Sequence, residues 1–155
     1  MSEVALGKAL PDFSLPSTGK APFRPKEHKG SPVVLYFYPR DNTPGCTVEG
    51  QDFQRLLPAF KRAGAHVFGI SRDTLAAHGK FCDKFGFGFE LLSDEEGEAC
   101  RLFDVIREKN MYGRRVLGIE RSTFLVDAAG KLAREWRKVK VEGHAEEVLE
   151  AVKSL

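Results

Sequence analysis

VVLYFYPRDNTPGCTVEG, residues 33–50, decides the fold. Its first part, 33–39, is an unbroken run of β-branched and aromatic residues, the pattern of a strand buried on both faces. RDNTPG then reads as a turn, and a helical period takes over: Phe53, Leu56, Leu57 and Phe60 recur on one face. Thr43 suits the N-cap, and Pro44 suits the first helical position, where its missing N–H costs nothing. Pro58 inside the pattern predicts a kink or an early end, and Gly64 a stop. A buried strand thus runs straight into a helix whose first turn carries Cys46.

Outward from this unit the elements alternate. AHVFGIS (65–71) predicts a second strand. Asp73 or Thr74 opens a helix with an apolar stripe of His78, Phe81, Cys82 and Phe85, stopped by Gly86. FELL (89–92) is a short strand, and Ser93 or Asp94 caps a helix containing Ala99, Leu102 and Phe103. REKNMYGRRVLGIER (107–121) reads as a basic, glycine-bearing loop. STFLVD, the turn AAGK and KLAREWRKV form an antiparallel hairpin, and residues 142–155 a last helix with Ala145, Val148, Leu149 and Val152 on one face. The first 30 residues, rich in Pro, Gly and Lys, meander over the surface with a short extended piece at DFSL (12–15). The prediction is one α/β domain over residues 1–155, with a mixed central sheet covered by helices on both faces. A thioredoxin-like order fits. A flavodoxin-like parallel sheet is the rival, and the hairpin after Ser122 counts against it because that fold needs a crossover there.

Composition narrows the function. At 155 residues, 42% apolar and 30% charged, the chain is an ordinary globular mix with room for one core. Its net charge of +2 gives little reason to expect nucleic acid or an anionic membrane as partner. No apolar run approaches the roughly 18 residues of a membrane span. MSEVALGKALPDF has no basic segment followed by a greasy stretch, so no secretory signal is visible and the cytoplasm is expected. Cysteines in that reducing compartment are reactive or buried rather than permanently bridged. There are three, at 46, 82 and 100, an odd number without a CxxC pair. The histidines at 28, 66, 78 and 144 are scattered, so the ligand spacing of a zinc site is missing. No flavin, haem or nucleotide motif is present, and no cofactor is expected.

A lone cysteine most often packs as a small hydrophobe, but the turn around Cys46 argues otherwise. The unpaired N–H groups and positive end of the helix favour an anion, hence a thiolate. Gly45 leaves the backbone open to a small oxygen-bearing ligand, and Thr43 can aim a hydroxyl at the same point. Glu49 stands in the same region, where a first-turn acid is also simply favoured by the helix dipole.

P-x-x-x-T-x-x-C, present as Pro39, Thr43 and Cys46, resembles the peroxiredoxin signature, and TPGCTVE resembles the peroxiredoxin Q group, also called bacterioferritin comigratory proteins. GIS, LLSDE and GIERSTFLVD align with it in order, so the resemblance covers nearly the whole chain. It implies a thioredoxin-like thiol peroxidase acting on hydrogen peroxide and organic hydroperoxides. Cys46 would be the peroxidatic cysteine, Thr43 would hydrogen-bond the peroxide, Arg121 would stabilise thiolate and transition state, and Pro39 would shield the pocket. Glu49 matches an acidic position that orients the arginine or the helix start. Many relatives place a second cysteine five residues after the first; here that position is Gln51. Others carry it in the next helix, in a context resembling KFCDKFGF, which makes Cys82 the resolving cysteine of an intramolecular disulfide. Two helix-borne cysteines meet the roughly 7 Å Cα limit of a disulfide only after local unwinding, which Gly45 and Gly50 would ease. Cys100 reads as structural. The resemblance further implies thioredoxin as reductant and a monomer. Two other readings stay open: a one-cysteine peroxidase reduced by an external thiol, and a redox-sensing or holdase module that uses Cys46 as a switch.

Overall fold

The structure is a computed structural model and describes residues 2–155, the side chain of Met111 aside. The opening segment folds as foreseen: β1 spans Val33–Phe37 and α1 spans Pro44–Arg62. β2 (His66–Ser71), α2 (Leu75–Phe85), β3 (Glu90–Ser93) and α3 (Glu98–Leu102) follow. Then come β4 (Ile106–Met111), β5 (Arg114–Ile119), β6 (Ser122–Val126), β7 (Leu132–Trp136) and α4 (His144–Lys153). A single 3₁₀ turn, Pro25–His28, interrupts the amino-terminal meander.

The main sheet has five strands in the order β3-β2-β1-β6-β7. β1 runs parallel to β2, and β2 to β3, whereas β6 pairs antiparallel with β1 and β7 antiparallel with β6. This mixed sheet is the thioredoxin-like arrangement; a flavodoxin-like sheet would have β6 parallel to β1. Successive residues of a strand face opposite sides, so β1 feeds two cores. Val33, Leu35 and Phe37 pack with Phe68, Phe103 and Phe124 and with Phe13 and Phe23 of the meander. Val34 and Tyr36, with Tyr38 just beyond, pack with Phe53 and Phe60 of α1 and with Val148 and Leu149 of α4.

Three local expectations change. α1 does not stop at Pro58: the proline is exposed, while Leu57 and Phe60 beside it are buried and hold the helix to the sheet. That packing outweighs the roughly 3 kcal/mol an interior proline costs. The segment 107–121 is not a loop but the hairpin β4–β5, closed by Tyr112 and Gly113, both at positive φ (54° and 78°). Two such residues are what a two-residue hairpin turn of matching twist requires. At α3 the N-cap position is Gly97, but the Asp94 carboxylate accepts the N–H groups of Ala99 (3.1 Å) and Cys100 (2.8 Å), capping the helix from outside. Thr74 caps α2 as expected, accepting from Ala77 N–H at 3.1 Å. Among the described residues, no helix is long and apolar enough to cross a membrane.

Candidate active site

Sheet register brings distant residues to the Cys46 turn. Phe37, the last residue of β1, lies opposite Ser122, the first of β6. The loop after β1 and the residue before β6 therefore share one end of the sheet. Arg121 sits at that end, its backbone carbonyl fixed by Val139 N–H at 3.0 Å. From there its guanidinium crosses to α1.

Cys46 occupies the first turn of α1 and is 2% exposed. Arg121 Nη2 donates to Cys46 Sγ at 3.5 Å, and Nη1 donates to Glu49 Oε1 at 2.6 Å. One guanidinium thus bridges two residues three apart on the same helix face, where side chains are neighbours. Gly45 makes the approach possible: a Cβ there would stand 3.2 Å from Arg121 Nη2.

Glu49 is buried, with Oε2 lacking any partner among the described residues. Burial pushes its carboxyl up to about 7, against the pull of the Arg121 charge and hydrogen bond. Burial works against the Arg121 cation too, but Glu49 and Cys46 outweigh it and raise its pKa. The pair is therefore a strong bond whose acid is expensive to ionise, because only one of its oxygens is served. A second orphan, the hydroxyl of buried Tyr36, lies in the same core; burial raises its pKa well above the ordinary value, with Glu49 the next cause.

Thr43 takes the N-cap position with extended backbone, but its hydroxyl does not cap α1; it donates to the Arg40 carbonyl at 2.8 Å. Its hydrogen is committed and its oxygen is left free to accept. Pro39 is half-buried at the start of the same loop.

Cys82 is elsewhere. It sits in the last turn of α2, half-buried against the core that holds Phe81, Phe85 and Phe87. Burial pushes its thiol up to about 11, with Asp41 and Asp83 adding to the rise and a Thr18 contact opposing it. All three cysteines are free thiols, so no bond joins Cys46 to Cys82. Gly50, expected to loosen the Cys46 turn, is instead a packing site: a Cβ there would strike the Phe87 ring at 2.5 Å. Cys100 is fully buried in the other core, its thiol raised by burial and by Asp94.

One polar cluster escaped the sequence reading. His78, placed there on an apolar stripe, is fully buried, with Nδ1 2.7 Å from Asp41 Oδ2 and Nε2 2.9 Å from the Leu92 carbonyl. A carbonyl only accepts, so Nε2 carries hydrogen. Tyr38 donates to Asp41 at 2.6 Å, and the Asp41 N–H to Asp73 at 2.9 Å. Asp41, Asp73 and His78 have the proximity of a metal site, but their ligand atoms are committed to one another and to Tyr38 and Ser71. Their effect is mechanical: they tie α2 to the loop that carries Thr43. The available signal was an Asp in the turn and a His one helical turn before Cys82.

The model of the AhpC/TSA family matches residues 6–135. The chain belongs to that family. It is a peroxiredoxin, a thiol peroxidase, of the Q/Bcp group. Peroxiredoxin Bcp of Xanthomonas campestris is 51% identical over 99% of this chain and 98% of its own. Peroxiredoxin Q of Xylella fastidiosa, solved as a mutant, superimposes with a TM-score of 0.92 at 44% identity, covering 99% and 98% of the two chains. The X. campestris bacterioferritin comigratory protein, solved in a trapped intermediate/ligand complex bearing on its alkyl peroxide reduction, gives 0.89 at 50% identity over 97% and 98%.

Proposed function

We propose that this peroxiredoxin reduces hydrogen peroxide and organic hydroperoxides through Cys46, with Arg121, Thr43, Pro39 and Glu49 in the site and Cys82 as resolving cysteine. The observation that carries the reading is the Arg121 guanidinium spanning Cys46 Sγ and Glu49 Oε1. A neutral peroxide needs a thiolate nucleophile and a donor aimed at the leaving oxygen. The first helical turn and Arg121 serve the thiolate, and Arg121 keeps its own proton throughout. As the S–O bond forms, the O–O bond breaks and negative charge gathers on the departing oxygen. A donor placed there lowers the barrier by about 3–4 kcal/mol. Thr43, its hydrogen engaged by Arg40, accepts the peroxide O–H and orients it. The departing oxygen takes its proton from solvent, and Cys46 is left as sulfenic acid.

Cys82, as thiolate, then attacks the Cys46 sulfur: an S–S bond forms, the S–O bond breaks, and the departing hydroxide takes a proton from solvent and leaves as water. A thioredoxin-type dithiol reduces that disulfide by exchange, taking up the oxidation itself. Organic hydroperoxides are included because the X. campestris relative is described by its alkyl peroxide reduction. A monomer of one domain, acting in the cytoplasm without a cofactor, completes the reading.

A specific observation favours a second version. The Cys82 thiol at about 11, packed in an intact helix, is a poor nucleophile where it stands. That suits a one-cysteine peroxidase reduced by an external thiol. Intact-mass and peptide mapping after one equivalent of peroxide decide. The expected product is a Cys46–Cys82 disulfide in wild type, a trapped sulfenic acid in Cys82→Ser and no reaction in Cys46→Ser. Full thioredoxin-linked turnover by Cys82→Ser would overturn the two-cysteine scheme.

A further inference from the structure

The hairpin β4–β5 places a second cation beside the site. Lys109 on β4 pairs opposite Val116 of β5, yet its side chain runs diagonally along β5. The stem lies over Gly118, where a Cβ would stand 3.3 Å from Lys109 Cδ and 3.6 Å from Nζ. The ammonium ends on the Ile119 carbonyl, to which it donates at 2.6 Å. Only Glu120 separates that carbonyl from Arg121. The connecting turn is fixed elsewhere too: Glu120 N–H donates to the Val105 carbonyl at 2.7 Å, and Ser122 Oγ to the Glu120 carbonyl at 2.9 Å. Lys109 thus ties β4 to the last residue of β5, two residues before Arg121.

The ammonium also lies within reach of the charges on Arg121 and Cys46. Lys109 is half-buried within the field of both groups: burial first, then Arg121, lower its pKa below the ordinary lysine value, while Cys46 and Glu120 oppose the shift.

We propose that Lys109 is a positioning residue for Arg121, holding the Ile119 carbonyl two residues before it so that the guanidinium stays on the Cys46 sulfur. The proposal rests on Cys46 and Arg121 acting as described above. Peroxide oxidation of Cys46 in Lys109→Met should slow about tenfold, well short of the hundredfold or more lost with a direct transition-state donor. The pH profile of Cys46 alkylation should move to higher pH, a change that mere loosening of the hairpin would not produce. Lys109→Arg should recover most of both. Gly118→Ala, which leaves every charge in place and crowds the lysine stem at 3.3 Å, should slow oxidation by less than Lys109→Met does. Arg114→Met, removing an exposed cation at the far end of the hairpin, should match wild type. Wild-type rate and profile in Lys109→Met, or a slower rate with an unmoved profile and no rescue by arginine, would overturn the proposal. Failure of wild type itself to oxidise at Cys46 would overturn the underlying reading instead, so the two failures are separable.

Discussion

The turn around Cys46 and the turn around Cys82 are opposite environments for the same side chain. Cys46 is almost fully buried at the start of a helix, with a guanidinium on its sulfur. Cys82 is half-buried at the end of a helix, against aromatic rings, with Asp41 and Asp83 as its charged neighbours and its thiol pushed up to about 11. The first environment supports an anion; the second resists one. Position along the helix accounts for part of this, since the peptide dipoles favour negative charge at the start and disfavour it at the end. A thiol kept neutral in the folded state does not compete for peroxide, and it becomes a competent nucleophile when its helix opens. Under the two-cysteine proposal the difference divides one reaction into two states of the chain: attack in the folded form and resolution in a locally opened one.

The largest effect should come from removing what distinguishes Cys46. Arg121→Met strips the sulfur of its cation and strands the Glu49 carboxylate in the core. Oxidation of Cys46 by peroxide should fall by a hundredfold or more. Arg121→Lys should recover little, because a single ammonium cannot serve sulfur and carboxylate through two fixed N–H groups. Stopped-flow oxidation measured by intrinsic fluorescence or mass checks both. A loss under fivefold in Arg121→Met would mean that the helix start alone makes Cys46 different from Cys82.

The sequence carried the Cys46 half of the comparison further than the Cys82 half, for a physical reason. Strand, turn and helix start are local, and their signals lie within residues 33–50. Pro44 and the apolar face of α1 needed no distant partner to be recognised. Arg121 was reached through resemblance, while its contact depends on the register between β1 and β6, which no local pattern contains. The hairpin 106–119 was missed because β4 is mostly charged or polar and β5 leaves Val116 and Leu117 exposed, so neither shows the alternation that marks a half-buried strand; Tyr112–Gly113 was a local clue. Pro58 was read by its intrinsic preference, which tertiary packing overrode. His78 was assigned to an apolar stripe because its partner Asp41 lies 37 residues away in the chain.

Glu49 sharpens the comparison on the Cys46 side through pH. Its folded pKa of about 7 lies above the roughly 4.3 of an unfolded glutamate. Between these values the folded chain binds more protons than the unfolded one, so this group's contribution is fully present below about pH 4 and is lost as pH rises through 7. The full window amounts to about 4 kcal/mol. Glu49→Gln removes the titration, so its stability relative to wild type should improve between pH 4.5 and 7.5, as read by urea unfolding at each pH. A parallel pair of curves would show that Arg121 keeps Glu49 ionised throughout, making the Cys46 site a fixed ion pair rather than a titrating one.

The smallest expected effect lies on the Cys82 side and tests whether opening of α2 is what separates the two states. His78 ties α2 to Asp41 in the loop leading into α1 and to the Leu92 carbonyl in β3. His78→Phe keeps a ring of similar width and deletes both bonds, leaving a buried carboxylate and carbonyl short of partners at a cost of about 1–3 kcal/mol. Opening of α2 should become easier by up to that amount, so Cys46–Cys82 disulfide formation should accelerate by about tenfold. Sulfenic acid formation should change less, because Arg121 and Glu49 do not touch His78. Rapid-quench mass analysis separates the two steps. If the disulfide forms at the wild-type rate while hydrogen exchange in α2 is faster, opening of α2 does not limit resolution, and the unwinding that brings the sulfurs together belongs to the first turn of α1.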